Sequence, residues 1–253
     1  MNKYKITLAY DGTSFSGWQT QQNGIAIQMV IEDKLSILLR HPVSLTGAGR
    51  TDAGVHAQGQ VAHFETALSL NLFSFFNSLN ALLPLTIRVL TLEPISPSFH
   101  ARYSAISKEY HYLVDQGRVC SPFQRLYSLH HPLPLDLKAL EKGCSYFKGT
   151  HDFTSFANKS SEGAAGKNAV RTLFRLDIKE TPCGFRLEFE GNGFLYKMVR
   201  NITGVLLDIG KKKLAPEAVL QLMEAKDRSQ SSMVAPAKGL SLIHVIYPDF
   251  SFL

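Results

Sequence analysis

The chain has 253 residues, of which 45% are hydrophobic and 19% are charged. A chain of this length and composition can bury its own core, which excludes an intrinsically disordered protein and a small disulfide-stapled one. The net charge of +6 favours a polyanionic partner such as nucleic acid, although a merely basic surface explains the charge about equally well.

The cysteines indicate the redox environment. Cys120, Cys144 and Cys183 are an odd set without a Cys-x-x-Cys pair. This pattern favours a reducing compartment, and we expect a cytoplasmic protein. No run of about 18 apolar residues is present, so we expect no membrane-spanning helix and no membrane partner.

Strand and helix patterns alternate in the first part of the chain. Apolar residues at every second position from Tyr4 to Tyr10 predict a half-buried strand, and apolar spacing from Ile27 to Leu39 predicts a helix. Further elements are expected in the order strand, strand, helix, strand and strand, at residues 43–45, 60–64, 72–82, 87–92 and 104–115.

Residues 116–135 hold several prolines and no periodic run, and we interpret them as a connector between two halves, 1–115 and 116–253. The second half predicts a helix at 137–147, strands at 170–178 and 185–189, a helix at 199–209 capped by Gly210, a short helix after Pro216, and a strand at 240–247.

These elements predict an α+β fold in which two similar halves form a mainly antiparallel central sheet. Clean alternation along the strands predicts helices on one face of the sheet and an open opposite face. An open face can serve as a platform for nucleic acid. Many unrelated α+β proteins have such a face, so an open face is associated with nucleic-acid binding but also with other functions.

A glycine-rich loop at residues 47–59 surrounds Arg50, Asp52 and His56. It is not a dinucleotide-binding loop, because Asp52 stands where the third glycine is required, and it lacks the Gly-Lys-Ser/Thr of a phosphate-binding loop. An arginine two residues before a carboxylate can keep it ionised and oriented, as a nucleophile or general base requires. Aspartate in glycine-rich loops more often caps a turn, so the loop alone favours that simpler interpretation.

A zinc site is not expected. His63 and Glu65 resemble half of a zinc deaminase motif, but the other half fails because Arg186 stands where a second cysteine would follow Cys183. The two side chains are better interpreted as strand-end residues.

Two further motifs have both a functional and a structural interpretation. Tyr110 and Tyr112 share one face of a predicted strand beside Lys108, where they could stack on a base or fill the core. Arg200 lies near the buried side of a predicted helix and needs an anionic partner, such as Asp52, a phosphate or an unrelated carboxylate.

Together, these motifs resemble the A-type family of tRNA pseudouridine synthases. The resemblance extends over nearly the whole chain, and its motifs occur in the family's order. The matching segments are Ala9–Gln19, Gly49–Ala57, Phe99–Arg102, Tyr110–Tyr112, Phe194–Asn201 and Pro236–Val245.

The resemblance implies an isomerase that breaks the N-glycosidic bond of uridine, turns the uracil and rejoins it through C5. Such a reaction has no net redox change, so it implies no cofactor and no metal. The implied substrate is the anticodon stem-loop of tRNA, at positions 38, 39 and 40. The resemblance also implies an RNA-binding active-site cleft on the sheet face opposite the helices. It further implies a homodimer with a positive cleft between subunits, which fits the net charge of +6.

The resemblance also assigns roles to the first set of site residues. Asp52 matches the essential aspartate, and three actions remain open for it: attack at C1′, attack at C6, or removal of the C2′ proton. Tyr110 matches a tyrosine that stacks on the target uracil. Arg50 matches a residue that takes part in displacing the base.

Three more residues complete the expected site. Arg200 matches an arginine that pairs with the aspartate, Leu240 matches a leucine that lines the pocket, and His56 is expected to bind substrate. Lys108 stands where many relatives have arginine, which preserves a phosphate contact but loses the bidentate geometry of a guanidinium.

Overall fold

The computed structural model describes residues 1–22, 24–158 and 168–249. The chain divides into two compact units. Unit 1 holds Met1–Ser107 and the segment from Ser241 onward, and unit 2 holds Lys108–Leu240. No helix within the described ranges is long and apolar enough to cross a membrane.

The elements follow one another as strands and helices in mixed order. The strands are β1 (Asn2–Tyr10), β2 (Thr46–Gly47), β3 (His56–Thr66), β4 (Ile87–Pro94), β5 (Ser107–Asp115), β6 (Leu129–His130), β7 (Gly149–Asp152), β8 (Val170–Thr181), β9 (Gly184–Gly191) and β10 (Leu240–Ile246). The α-helices are α1 (Ile27–Leu39), α2 (Leu72–Leu82), α3 (Leu137–Phe147), α4 (Met198–Gly210) and α5 (Ala218–Ala225).

The strands of unit 1 lie in the order β4-β1-β3-β10. β1 is antiparallel to both β3 and β4, whereas β10 runs parallel to β3 where Ser241 faces His56. The short strand β2 pairs with β3 further along and lies at Thr46–Gly47, just after the predicted position 43–45. Residues 48–55, between β2 and β3, form the middle of the glycine-rich loop, whose two ends lie within these strands.

One face of the unit 1 sheet is apolar and lies under helices. Tyr4, Ile6, Leu8 and Tyr10 alternate with more exposed residues along β1, as their spacing predicts. Phe64, the β3 partner of Tyr4, stacks on Phe75 of α2, and α1 packs beside α2. The side chains of α1 that are buried are Ile27, Ile31, Leu35 and Leu39, which lie on one side of the helix.

The opposite face of unit 1 carries a second, smaller core. Its buried members are Ala48, Val61, Ile95, Phe99 and Ala101, with Val245 and Tyr247 packed against them. The Tyr247 hydroxyl donates to the Ala101 carbonyl at 2.6 Å, and the Ala101 N–H donates to His63 Nδ1 at 3.2 Å. The chain itself therefore covers the part of this second sheet face around Val61, whereas Lys5 and Thr7 on the same face remain half-buried.

The strands of unit 2 lie in the order β5-β9-β8-β7 and are antiparallel, with β6 running parallel beside β5. β8 and β9 correspond to the predicted strands at 170–178 and 185–189, and they form a hairpin that closes where Thr181 faces Gly184. Both units therefore confirm the predicted α+β class and its mainly antiparallel pairing.

The helix α4 of unit 2 packs against α3, and α3 also contacts β8. The prediction that Gly210 caps α4 is wrong, because the helix includes Gly210 and its C-cap is Lys211. A Cβ atom at Gly210 would lie 3.1 Å from the Leu140 side chain of α3, so a larger residue there requires that side chain to shift.

The two units divide the chain differently from the predicted halves 1–115 and 116–253. β5 belongs to unit 2 because it pairs with β9 from Lys108 to Asp115, and the predicted connector at 116–135 lies inside unit 2. The chain from Ser241 onward belongs to unit 1 because β10 pairs with β3. Strand pairing between distant segments sets these boundaries, and local sequence carries little trace of it.

Gly204→Ala should lower the free energy of unfolding by roughly 3 kcal/mol, because the added methyl group would clash with main chain, which cannot move aside as a side chain can. The new Cβ would lie 2.0 Å from the main-chain oxygen of Met233. Gly210→Ala is the matched control on the same helix, because its neighbour Leu140 is a side chain that can shift. Urea unfolding of both variants measures the difference, and equal losses would contradict the packing argument.

Stability should also fall as pH falls between 6.5 and about 4, in part through His63. Burial, helped by the positive His100 and Lys3, lowers the pKa of His63 from 6.5 to about 4. Between pH 6.5 and about 4, His63 is therefore protonated in the unfolded chain but largely neutral in the folded chain. This difference favours unfolding as the pH falls. His63→Asn keeps an acceptor for the Ala101 N–H and does not titrate. Urea midpoints measured across this pH range should fall less steeply for His63→Asn than for the wild type, and identical slopes would refute the assignment.

Candidate active site

The glycine-rich loop is tied to β3 at its first residues. The Ala48 N–H donates to the Val61 carbonyl at 2.8 Å, which extends the β2 pairing by one residue. The Gln60 side chain then donates from Nε2 to the Gly49 carbonyl at 2.9 Å. Since Gln60 is itself fully buried in β3, the chain enters the loop from a fixed position.

Burial alternates along the next three residues, because Arg50 is exposed, Thr51 is buried and Asp52 is half-buried. The Thr51 carbonyl accepts the Trp18 N–H at 3.0 Å, which holds the main chain immediately before Asp52. The Asp52 carbonyl accepts the Val55 N–H at 3.1 Å and closes a turn. The carboxylate of Asp52 is thus presented from a main chain that is fixed on both sides.

The turn after β1 packs directly on this loop. Gly17 has a φ of +100°, and a Cβ atom there would lie 2.7 Å from the Thr51 carbonyl oxygen. Only glycine combines this conformation with so close an approach. The sequence motif that contains Gly17 contributed to the family resemblance, but its residue types alone did not reveal this contact.

His56 supports the other end of the loop. It is 4% exposed, and its Nδ1 accepts the Gly12 N–H at 3.1 Å. The Asp11 carboxylate oxygen Oδ1 lies 3.2 Å from the same nitrogen. His56 therefore joins the start of β3 to the turn after β1, and its role in substrate binding stays a prediction.

Unit 2 holds Tyr110 on β5 at 7% exposure, in edge-to-face contact with Phe194 at a centroid distance of 5.1 Å. Tyr112, two residues further along the same face, is fully buried, and its hydroxyl donates to the Pro236 carbonyl at 2.9 Å. The core interpretation therefore holds for Tyr112. For Tyr110, the stacking role stays a prediction.

Arg200 lies in the first turn of α4 and is half-buried. Its Nε donates to the Ala235 carbonyl at 2.8 Å, and the Ala235 N–H donates back to the Arg200 carbonyl at 3.1 Å. These bonds fix the chain shortly before the buried Leu240. Burial raises the pKa of the Tyr112 phenol, and the positive charge of Arg200 partly opposes that rise.

Unit 2 also contains a charged cluster that the sequence did not single out. Glu109, His111 and Glu188 have ligand atoms within 4.8 Å of one another, a spacing that could surround a cation. Arg175 pairs with Glu109 at 2.7 Å and also with Glu188, while Arg186 Nε lies 2.6 Å from Glu188. Burial acts to raise the pKa of Glu188, but the hydrogen bond and charge of Arg186, together with the charges of His111 and Arg175, outweigh it and hold that pKa low. Guanidinium groups thus already neutralise the cluster, which we interpret as a structural ion-pair network.

The structure divides the six expected site residues equally between the units. Unit 1 holds three of them on or beside one loop, namely Arg50, Asp52 and His56. Unit 2 holds the other three, which are Tyr110, Arg200 and Leu240.

Comparison with known proteins agrees with the motif pattern. A model of the tRNA pseudouridine synthase family matches residues 6–104 and 144–248. The first matched segment contains Asp52 and the second contains Arg200, while Tyr110 lies between the two. The match covers well over half of the chain.

Similar full-length proteins come from several bacteria. The tRNA pseudouridine synthase A 1 of Protochlamydia amoebophila is 55% identical over 250 residues, which cover 98% of each chain. The tRNA pseudouridine synthase A of Chlamydia muridarum is 45% identical over 98% of this chain and 92% of its own length. That of Exiguobacterium sibiricum is 42% identical over 98% of both chains. The chain therefore belongs to the tRNA pseudouridine synthase family, whose enzymes isomerise uridine to pseudouridine in tRNA.

Proposed function

We propose that this protein converts uridine to pseudouridine in the anticodon stem-loop of tRNA, at positions 38, 39 and 40, with Asp52 as its catalytic carboxylate. The observation that carries the proposal is the presentation of Asp52, half-buried in a loop whose main chain is fixed on both sides. A carboxylate that acts on one atom of a substrate needs this kind of preorganisation. Relatives named tRNA pseudouridine synthase A support the substrate class.

The reaction balances without any added group. The bond from N1 of uracil to C1′ of ribose breaks, and a bond from C5 to C1′ forms. C5 loses its hydrogen as a proton, and N1 ends with a proton. Asp52 can serve as the nucleophile at C1′, as the nucleophile at C6, or as the base that removes the C2′ proton, and each role requires the ionised carboxylate.

The target nucleotide must leave its stack before the reaction, at a cost of a few kcal/mol. We propose that Tyr110 receives the uracil on its ring and that the exposed Arg50 takes part in displacing the base. Arg200, Leu240 and His56 are proposed as further members of the site on the strength of the motif resemblance.

The proposed partners follow from the substrate. A net charge of +6 favours association with the phosphates of tRNA, and the assembly is proposed to be a homodimer. The described cysteines are all free thiols, which fits action on tRNA in the cytoplasm.

Asp52→Asn should reduce pseudouridine formation about a thousandfold or more, because the amide has nearly the same shape but cannot act as nucleophile or base. Binding of tRNA should persist. Release of tritium from C5-labelled uridine in tRNA measures turnover, and filter binding measures affinity. Asp33→Asn, which removes the same charge from exposed α1 of unit 1, is the matched control and should stay active.

The outcome separates the isomerase from a second candidate, a module that binds RNA on its sheet without modifying it. That module predicts binding by the wild type without tritium release and without dependence on Asp52. An active Asp52→Asn enzyme would overturn the assigned role of the carboxylate while leaving the isomerase in place.

Tyr110→Phe should lower kcat by about tenfold or more while changing the Kd for tRNA by no more than about twofold, if the hydroxyl assists proton removal from C5. Tyr112→Phe is the matched control from the same face of β5, since its hydroxyl bonds to Pro236. It should lose stability without losing kcat. Equal kcat values for both variants would reduce Tyr110 to a stacking or packing role.

A further inference from the structure

A small hydrogen-bond network lies beneath the loop that carries Asp52, and the reaction chemistry does not use it. The hydroxyl oxygens of Tyr10 and Thr51 lie 2.8 Å apart and are buried. Gln60 Nε2 lies 3.5 Å from the Tyr10 hydroxyl and donates to the Gly49 carbonyl at 2.9 Å. Tyr10 is 4% exposed, so its hydroxyl depends on these partners for hydrogen bonding.

The network holds Gly49 and Thr51, which are the chain neighbours of Arg50 and Asp52. Gly49 precedes Arg50, and Thr51 stands between Arg50 and Asp52. Thr51 is held inward by its side chain and by the Trp18 N–H on its carbonyl, whereas Arg50 is exposed and Asp52 is half-buried. Gly49 and Thr51 are thus anchored by hydrogen bonds. Arg50 and Asp52, which follow them in turn, are the residues with proposed roles in the reaction.

We propose that Tyr10 is a positioning residue for this reaction: through Thr51, and with Gln60 behind it, its hydroxyl sets the direction in which the Asp52 carboxylate points. The inference rests on the proposed function of Asp52. Tyr10 acts through another residue and transfers no proton.

A purely positional role agrees with the electrostatics of the hydroxyl. Burial raises the pKa of Tyr10 well above its ordinary value, although the bonds to Thr51 and Gln60 partly oppose that rise. The phenol is therefore protonated at every pH at which the enzyme would work. It serves as a fixed hydrogen-bonding group, in contrast to an acid or base of the reaction.

Tyr10→Phe removes only the hydroxyl and should lower kcat about tenfold, because small misplacements of a reacting group cost up to about a hundredfold. The main-chain bonds on either side of Asp52 remain, which limits the loss. KM for tRNA should stay within about twofold of the wild-type value, since the network does not touch the outer surface of the loop.

Tyr4→Phe is a matched control on the same strand. Tyr4 is also 4% exposed on the same face of β1, and its hydroxyl bonds to the main chain at Leu68 and Leu70, away from the loop. Both variants should lose similar stability in urea unfolding. Only Tyr10→Phe should lose kcat, and equal kcat values in the two variants would overturn the proposal.

A second pair of variants tests the route through Thr51. Thr51→Val replaces the hydroxyl by a methyl group of similar size and should lower kcat as much as Tyr10→Phe does. Thr51→Ser keeps the hydroxyl and should restore activity to within about threefold of the wild type. The double variant Tyr10→Phe, Thr51→Val should be little worse than either single one, whereas multiplied losses would show that the residues act independently.

Amide hydrogen exchange gives a measurement that does not depend on turnover. The N–H groups of Trp18 and Val55 donate to the carbonyls of Thr51 and Asp52, so they report on the order of the main chain there. Both should exchange about tenfold faster in Tyr10→Phe and at the wild-type rate in Tyr4→Phe. Unchanged exchange in Tyr10→Phe overturns the inference even if the wild type were inactive, while an inactive wild type overturns only the proposed function.

Discussion

The antiparallel pairing of β1 with β3 is the constraint on which the candidate site of unit 1 depends. It sets Leu8 opposite Gln60 and Tyr10 opposite Ala57, which brings two buried polar side chains together at the end of the sheet. Buried polar groups must find partners inside the protein, and here they find them in the main chain and the Thr51 side chain of the adjoining loop. The register of two strands thereby determines the shape of a loop that has no regular structure of its own.

Carboxylate side chains lie in a different setting in each of the two units. In unit 2, the carboxylates of Glu109 and Glu188 are compensated by the guanidinium groups of Arg175 and Arg186, so their charges serve the structure. In unit 1, Asp52 stands half-buried at a turn, beside glycines that let neighbouring main chain come close. The role proposed for Asp52 needs an ordered main chain and a side chain that is not fully buried, and the loop supplies both.

The hydrogen-bond partners of their hydroxyl groups distinguish tyrosines that are otherwise alike in burial and in position on a strand. Tyr10 and Tyr4 share a strand face and a degree of burial, yet one bonds to the loop and the other to main chain at the far end of the strand. Tyr112 likewise fills the core of unit 2, where its hydroxyl meets Pro236. Aromatic side chains on alternating positions are therefore informative about function only once their polar ends have been located.

The sequence alone determined the elements whose signal is local. Apolar periodicity located α1 and α2 at their observed bounds, strand alternation gave the α+β class, and motif order pointed to the family that the comparisons confirm. The units of the structure differ from the predicted halves that meet at 115, because strand pairing joins residues far apart in sequence. The prediction that Gly210 caps α4 was wrong, because the helix includes that residue. The glycine-rich loop read alone favoured a simple turn at Asp52. Only the tertiary structure showed Thr51 anchored by the Tyr10 side chain and the Trp18 main chain, since hydrogen bonds between residues more than 30 positions apart leave no periodic trace in the chain.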